Sequence, residues 1–231
     1  EFAEVVTERI GKNVHRFILK ALPVLIIIGL IFPMMHQSSL GGLFLIAKSK
    51  MYPLWWSEFL PLYFLMSSFF VGSAMVCIET ELARRAYRHE IPTNVLKNLT
   101  RVGARIMAAY LALKLFDIIA QGQVGLLFAG NMQSNMFLLE LFLGIIIPLG
   151  IIFSPYAKTR NGLLTYSLLV AGGVVLNRMN MVFTSMYTSG SYFPSIWEFI
   201  VSAGLISIGC LLYCFIVENF VVIGESYAVP A

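Results

Sequence analysis

The sequence predicts an all-α protein that crosses a membrane several times. Of its 231 residues, 58% are hydrophobic and only 12% are charged, and the mean hydropathy is +0.82. A soluble domain carries roughly 25% charged residues, so this composition excludes the soluble classes. The apolar residues are gathered in stretches of about 20, the length at which an α-helix crosses the hydrocarbon core of a bilayer. A polytopic transmembrane helical bundle follows from these observations.

Six apolar stretches define the predicted spanning helices. In order, they cover about residues 18–36, 58–80, 103–121, 136–154, 162–180 and 197–218. Pro148 predicts a kink in the fourth, because proline cannot donate a backbone hydrogen bond. Small residues such as Gly144 and Gly173 predict close helix contacts. We therefore treat residues 1–231 as a single integral membrane domain.

The connections between these helices predict their orientation. Cytoplasmic loops carry an excess of lysine and arginine. The connections after the first, third and fifth predicted helices are poor in basic residues. The first of them holds only Lys48 and Lys50, and stretches 122–135 and 181–196 carry no charge. Trp55 is predicted to lie in the aromatic belt of this outer interface. The N-terminal tail and the connections after the second and fourth helices are rich in basic residues, which predicts that both termini are cytoplasmic. These residues are Arg9, Lys12, Arg16, Lys20, Arg84, Arg85, Arg88, Lys97, Arg101, Arg105, Lys158 and Arg160.

Several ionisable residues are predicted to lie within or at the edge of the membrane. Lys114 and Asp117 share one face of the third helix, because three-residue spacing makes them neighbours. Glu140 and Arg178 occupy a similar depth on the fourth and fifth helices. Such residues are expensive in lipid and mark functional sites. We predict proton transfer by Asp117, Glu140 and Glu79, with Lys114 and Arg178 tuning their charge.

A structural role for the same residues is the alternative. Lys114 with Asp117, and Arg178 with Glu140, would then be ion pairs that only lock helices together. Lys114 can also extend its ammonium group to the interface. Glu79 would cap a helix end near the cytoplasm instead of forming the inner port of a proton path.

A polar group at the end of the first predicted helix indicates a quinone site. A quinone headgroup needs a hydrogen-bond partner on each carbonyl and a group that exchanges protons near neutral pH, which histidine does. His36 with Gln37 and either Ser38 or Ser39 supplies these groups at the outer leaflet. The apolar wall of the first helix would hold an isoprenoid tail. The alternative is that His36 only hydrogen-bonds a neighbouring carbonyl.

Other residue types exclude further classes of function. A transmembrane b-type haem needs axial ligands such as two histidines on facing helices. The other two histidines, His15 and His89, sit beside basic segments, so we expect no haem in this chain. The sequence contains no metal-ligand cluster, glycine-rich nucleotide loop or serine-nucleophile arrangement. The net charge of +4 lies on the membrane flanks, which argues against nucleic-acid binding.

Several motifs lie in order along nearly the whole chain: His36-Gln37-Ser38-Ser39-Leu40-Gly41, Pro53-Leu54-Trp55, Pro61-Leu62 before a helix ending in Glu79, Lys114 to Asp117, Leu139-Glu140, Asn177-Arg178, and Tyr192-Phe193-Pro194-Ser195 before Trp197-Glu198. Together they resemble the NrfD/PsrC family of integral membrane subunits, in its HybB-like branch with the DsrP and HmcC types.

The resemblance implies a haem-free subunit of a respiratory oxidoreductase complex in a bacterial or archaeal cytoplasmic membrane. Such a subunit exchanges electrons between menaquinone or ubiquinone and a ferredoxin-like iron–sulfur subunit on the outer face, and some complexes would also translocate protons. The catalytic partner would be a hydrogenase, a molybdenum enzyme or a multihaem cytochrome c. This branch usually has about ten helices. Because the chain starts at Glu1 and has six predicted spans, we expect N-terminal helices to be lacking.

Two other functions are compatible with the residues alone. A small-solute transporter would use the same polar cluster to recognise its solute, and the isolated protein would then show binding or flux. A pure membrane anchor would use the buried charges only as pairing devices. Co-purification of an iron–sulfur protein and a lipid quinone discriminates the quinone subunit from both.

Overall fold

The computed structural model describes residues 12–87, 93–186 and 195–219, and every long element in those ranges is helical. Short helical turns at Val124–Leu127 and Pro155–Lys158 lie in the connections. Each predicted span coincides with one long helix, so the all-α class is confirmed. The helices are α1 (Lys12–Ile46), α2 (Leu60–Tyr87), α3 (Thr93–Ala120), α4 (Met132–Phe153), α5 (Arg160–Thr184) and α6 (Ile196–Asn219).

Among the described residues, five helices are long and apolar enough to cross a membrane: α1, α2, α4, α5 and α6. The predicted third span differs, because α3 carries three charged residues, Arg105, Lys114 and Asp117, within 103–121. Lys114 and Asp117 are nevertheless buried against protein. Two of these three charged side chains are therefore covered by the bundle itself. A sixth span and cytoplasmic termini remain predictions.

The chain divides into two compact units, Glu1–Phe32 with Tyr192–Ala231, and Pro33–Ser191. In the first unit, the described apolar side chains of α1 and α6 are largely exposed. Exposed apolar helices of this length are what lipid or further protein would cover. The second unit buries its own core and contains every residue of the site described below.

Helices α2 to α5 form the bundle of the second unit. α2 packs against both α3 and α5, and α4 packs against α5. Tyr63 of α2 meets Tyr110 of α3 with ring centroids 5.5 Å apart, while Ser73 meets Gly103, so these two helices are antiparallel. A Cβ on Gly103 would collide with the Ser73 hydroxyl. Glycine is therefore what permits this close approach of α3 to α2.

Helix α1 extends ten residues beyond its predicted end at His36 and stops at Ile46. The prediction placed an outer loop after residue 36, and the structure corrects it. A Cβ on Gly41 would lie 2.7 Å from the Leu60 carbonyl oxygen and 2.9 Å from the Pro61 Cα. The last turns of α1 therefore pack directly on the start of α2. This packing outweighs the low helix propensity of glycine.

Candidate functional site

A crossing of α4 and α5 at two glycines positions the candidate site. A Cβ on Gly144 would lie 2.9 Å from the Gly173 Cα, so the two backbones touch there, as the sequence predicted. Glu140 lies four residues before Gly144, and Asn177 lies four residues after Gly173. Residues four apart share a helix face, so the crossing brings Glu140 and Asn177 together.

The Glu140 carboxylate accepts hydrogen bonds from four side chains. Oε1 accepts from Lys114 Nζ at 3.0 Å and from Asn177 Nδ2 at 2.6 Å. Oε2 accepts from Trp55 Nε1 at 3.1 Å and from Asn180 Nδ2 at 3.2 Å. Glu140 is only 2% exposed, so these bonds replace water for a buried charge. We call Trp55, Lys114, Glu140, Asn177 and Asn180 the Glu140 cluster.

Two π-helical turns adjoin the Glu140 cluster. One covers Phe142–Ile146, just before Pro148, whose missing N–H interrupts the α-helical pattern where a kink was predicted. The other covers Asn180–Thr184 at the end of α5. It includes Asn180, whose side-chain oxygen accepts from the Thr184 hydroxyl at 3.1 Å while its amide donates to Glu140. Such turns are frequent at functional sites.

Lys114 is the counter-ion of Glu140. Its ammonium group also lies 3.4 Å from the Tyr110 hydroxyl and 4.7 Å from the centroid of the Phe137 ring. The predicted alternative, an ion pair between Lys114 and Asp117, is wrong. Three-residue spacing on α3 allowed that pair. The long lysine side chain instead reaches across to the Glu140 carboxylate on α4.

Arg178 is attached to the cluster through an amide. It donates to Asn177 Oδ1 at 2.8 Å and to the Ser67 hydroxyl at 2.6 Å, and its guanidinium lies 3.5 Å from the centroid of the Phe64 ring. The described residues give it no carboxylate within ion-pair distance, so the predicted Arg178–Glu140 pair is wrong. Asn177 separates the two groups, because it follows Gly173 by one turn and reaches Glu140 first.

Asp117 lies beside the cluster without belonging to it. It is 9% exposed and accepts a hydrogen bond from Gln121 Nε2 at 2.9 Å. It lines a small cavity together with Lys114, Arg178 and Tyr63. The structure thus brings three of the predicted charged residues around one space, although it pairs them differently from the prediction.

Two cavities adjoin the cluster, and each has a volume of about 20 Å³. The first is lined by Asp117 and Lys114, and the second by Glu140, Ser67 and Asn177. A volume of roughly 15 Å³ holds one water molecule. Each cavity therefore accommodates a water next to a carboxylate, and neither accommodates a quinone ring.

The predicted quinone ligands occupy a different place. His36 and Ser39 are exposed on α1, and Gln37 and Ser38 are half-buried. The Ser38 hydroxyl donates to the Pro61 carbonyl at 3.1 Å. Within the described ranges, none of these four residues hydrogen-bonds to the Glu140 cluster. The histidine is not at a helix end, because α1 continues to Ile46.

The third predicted proton-transfer residue, Glu79, is exposed on α2. It lies twelve residues beyond Ser67, which corresponds to about 18 Å along a helix axis. The buried carboxylate near this end of α2 is Glu81, which is 7% exposed and pairs with Arg84 at 2.6 Å and Arg85 at 3.0 Å. Glu79 is therefore not part of the Glu140 cluster.

Trp55, Asn177 and Asn180 are site residues that sequence reasoning missed, although Asn177 stands in the matching motif Asn177-Arg178. Trp55 was predicted to lie in the outer aromatic belt, and the structure corrects this: it is 3% exposed, donates to Glu140 and packs edge-on against Phe137. The signal was its place after Pro53-Leu54 in one of the matching motifs. Asn180 lies outside the matching motifs. A neutral amide of this kind is recognised as a site residue only from the hydrogen-bond partners that the structure gives it.

Residues 5–190 match the family model described as "Polysulphide reductase, NrfD". The chain belongs to the NrfD family. The match covers α1 to α5 and hence all residues of the Glu140 cluster.

Two relatives extend this assignment. The chain is 29% identical over 238 residues to a protein of Nitratidesulfovibrio vulgaris, covering 97% of this chain and 61% of that protein. It is 30% identical over 227 residues to a protein of Escherichia coli named "Probable Ni/Fe-hydrogenase 2 b-type cytochrome subunit", covering 94% of this chain and 57% of that protein. The chain thus spans about three fifths of the length of both relatives. No solved structure matches.

The donor set does not resemble a metal centre. Within residues 12–87, 93–186 and 195–219, histidine, cysteine, aspartate and glutamate nowhere gather in threes at metal-binding distance. The Glu140 carboxylate is instead surrounded by nitrogen donors, which are partners for an anion and not ligands for a cation.

Proposed function

We propose that this NrfD-family chain is a haem-free, quinone-reactive membrane subunit of a respiratory oxidoreductase complex. It would exchange electrons between menaquinone or ubiquinone and a ferredoxin-like iron–sulfur subunit on the outer face of the cytoplasmic membrane. The observation that carries the proposal is the family match over residues 5–190. The E. coli relative is named as a hydrogenase cytochrome subunit, which supports membership of a redox complex. A hydrogenase is therefore the first catalytic partner to test. Molybdenum enzymes and multihaem cytochromes c are the other candidates.

The proposed headgroup site is the polar face at His36. The exposed imidazole of His36 and hydroxyl of Ser39 are available to the two carbonyls of a quinone. Ser38 already donates to Pro61, so its oxygen has only acceptor capacity left, and half-buried Gln37 supplies a further amide. Met35, which is 61% exposed, provides apolar surface beside the imidazole for an isoprenoid tail.

The proposed proton-transfer group with the most suitable surroundings is Asp117. Its carboxylate is held by Gln121 and faces a cavity large enough for one water. A carboxylate with free acceptor positions beside water can take up and release a proton. Glu140 and Glu79 were predicted in the same role. Glu140 has all its acceptor capacity engaged, so we propose that it mainly holds Lys114. Lys114 and Arg178, which line the same cavity as Asp117, remain the proposed charge-tuning residues.

The absence of haem is part of the proposal, although the E. coli relative is named a b-type cytochrome. A bis-histidine haem needs two facing imidazoles. The chain has three histidines, and His36, which is exposed on α1, has no second histidine in the bundle of α2 to α5. A dithionite-reduced minus oxidised optical spectrum of the purified protein should lack a b-type α-band. Such a band at one haem per chain would contradict this part of the proposal.

The test of the quinone site is His36→Ala in the assembled complex. We expect quinol-linked turnover to fall by about 10²-fold or more, because general acid–base groups contribute about 10²–10⁴-fold. Ile46→Ala, a change at the 86% exposed last residue of α1, which has no part in the proposed site, is the control and should retain turnover. Both variants should keep the partner subunits, as seen by co-purification. Unchanged turnover and inhibitor sensitivity in the His36 variant would refute the assignment.

A pure membrane anchor is the second candidate, and one observation favours it. All four hydrogen bonds of Glu140 end on protein groups, which is what an interhelical lock requires. The two functions differ at Asp117. In a quinone-reactive subunit, Asp117→Asn should slow proton-coupled turnover while the complex stays assembled, whereas in an anchor it should have no effect on turnover. Gln121→Ala, which removes the bonds to Asp117 and Gln123 but leaves the carboxylate in place, should have a smaller effect than Asp117→Asn.

A further inference from the structure

A further cavity lies at the other end of α3 from the Glu140 cluster. Its volume is about 480 Å³. Its walls come from the first half of α3, the end of α4, the turn at Pro155–Lys158 and the start of α5. All of these segments belong to the second unit. The volume falls within the range of about 300–1,000 Å³ that is typical of small-molecule sites.

One wall of this cavity is strongly basic. Lys97, Arg101 and Arg105 are spaced four residues apart and therefore form a stripe along one face of α3. Lys97 is half-buried, while Arg101 and Arg105 are exposed. Among the described residues, none of the three has a carboxylate within ion-pair distance. Three positive charges that no described carboxylate balances indicate an anionic ligand.

The rest of the lining is largely apolar and includes Ala104, Ile152, Phe153 and Leu163. Phe153 is 80% exposed, so a large aromatic side chain stands beside the charged stripe without protein cover. A soluble anion gains nothing from such a wall, whereas an amphiphilic anion fits both walls at once.

The position along the chain also favours a lipid. The cavity lies where the predicted third span begins, among the connections that the positive-inside rule assigns to the cytoplasmic side. The headgroups of anionic phospholipids lie at this depth, and basic pockets between membrane helices on the cytoplasmic side are known to bind them.

We propose that this cavity binds the phosphodiester headgroup of an anionic phospholipid, with Lys97, Arg101 and Arg105 holding the phosphate and Phe153 contacting an acyl chain. The assignment does not rest on the quinone reaction. Arginine suits phosphate because its planar fork donates two parallel hydrogen bonds. The lipid would tie α3 to the α4–α5 connection at the end of the bundle opposite the Glu140 cluster.

The test compares phosphatidylglycerol with phosphatidylcholine in binding to the purified full chain in nonionic detergent. Native mass spectrometry counts bound lipids, and the rise in unfolding temperature with lipid concentration gives an apparent Kd. We expect one tightly bound phosphatidylglycerol and a preference for it over phosphatidylcholine. The double variant Arg101→Gln with Arg105→Gln should raise the apparent Kd about 25-fold, or about fivefold for each charge removed.

Three further arms make the result decisive. Lys48→Gln with Lys50→Gln removes the same charge at the opposite end and should leave the Kd within about twofold of the parent. Arg101→Lys with Arg105→Lys keeps the charge and should retain most of the binding. If the glutamine pair does not purify as a monodisperse protein, Lys97→Gln alone decides, with an expected rise of about fivefold.

Specific outcomes would overturn the proposal. Equal affinity for the two lipids would show that the headgroup charge is not recognised. An unchanged Kd in the arginine-to-glutamine variants would place the lipid elsewhere. Inorganic phosphate at millimolar concentration, added without lipid, should give no comparable stabilisation; if it gives the same stabilisation, the ligand is a free anion and the lipid assignment is wrong.

Discussion

The buried ion pair between Lys114 and Glu140 makes a quantitative prediction about stability. Side-chain exposures of 8% and 3% place both charges out of reach of bulk water. Breaking such a pair by removing one partner typically costs about 3–5 kcal/mol, since the remaining charge is left buried and uncompensated. Replacing both partners together by uncharged groups of similar volume often leaves the free energy of unfolding nearly unchanged, because no unpaired charge stays buried.

The perturbation is a double-mutant cycle of Lys114→Met and Glu140→Gln. Each single variant should lower the free energy of unfolding by about 3–5 kcal/mol. Lys114→Met should fall at the lower end, because Trp55, Asn177 and Asn180 still donate to the carboxylate. The double variant should lose no more than the worse single variant, which gives a coupling of about 3 kcal/mol between the two sites.

Thermal unfolding in detergent, followed by intrinsic fluorescence, measures these losses. For a chain of this size about 1 kcal/mol shifts the midpoint by roughly 2–4 °C, so each single variant should shift it by about 6–20 °C. Lys50→Met, at an exposed lysine, is the control and should shift it by less than about 2 °C. Additive losses in the double variant would show that the two side chains do not act as a buried pair.

The remaining predictions concern the crossing and the tryptophan donor. Gly173→Ala places a Cβ in collision with the Gly144 Cα, so α4 and α5 must separate. We expect the free energy of unfolding, measured by thermal unfolding, to fall by about 1–3 kcal/mol. Gly172→Ala meets nothing within 4 Å and should be neutral; equal losses in both would reject the close crossing. Trp55→Phe keeps the aromatic ring but removes the donor to Glu140, which should cost about 1.5–3 kcal/mol. Trp56→Phe loses only a 3.5 Å bond and should cost less.

The positions of the helices could be read from the sequence because each is a long apolar stretch. Their ends could not be read equally well. Helix α1 runs to Ile46 because Gly41 packs on Leu60 and Pro61, a contact between residues about twenty apart that hydropathy does not register. Helix α3 forms as predicted, but its three charged residues within 103–121 set it apart from the five described helices that are apolar enough to cross a membrane.

The candidate site shows a similar division. Depth in the membrane identified Lys114, Asp117, Glu140 and Arg178 as residues that need an explanation, and all four lie on or beside one buried cluster. The pairing was mispredicted, because spacing along a helix reports only neighbours on the same helix. Lys114 is paired across helices, and Arg178 is separated from Glu140 by Asn177.

The sequence by itself determined the class of the protein, an all-α membrane protein with a few charged residues in its spans, and its motifs indicated the NrfD family. Composition and apolar length decide the all-α membrane class, since stretches of about 20 apolar residues cross lipid as helices, whose backbone groups bond internally. Only the tertiary structure decided which donors surround Glu140. Trp55 lies in a connection, and Asn177 and Asn180 lie on α5, so their meeting depends on the crossing at Gly144 and Gly173. Hydrogen bonds are short and directional, and helix packing alone brings such distant residues within their range.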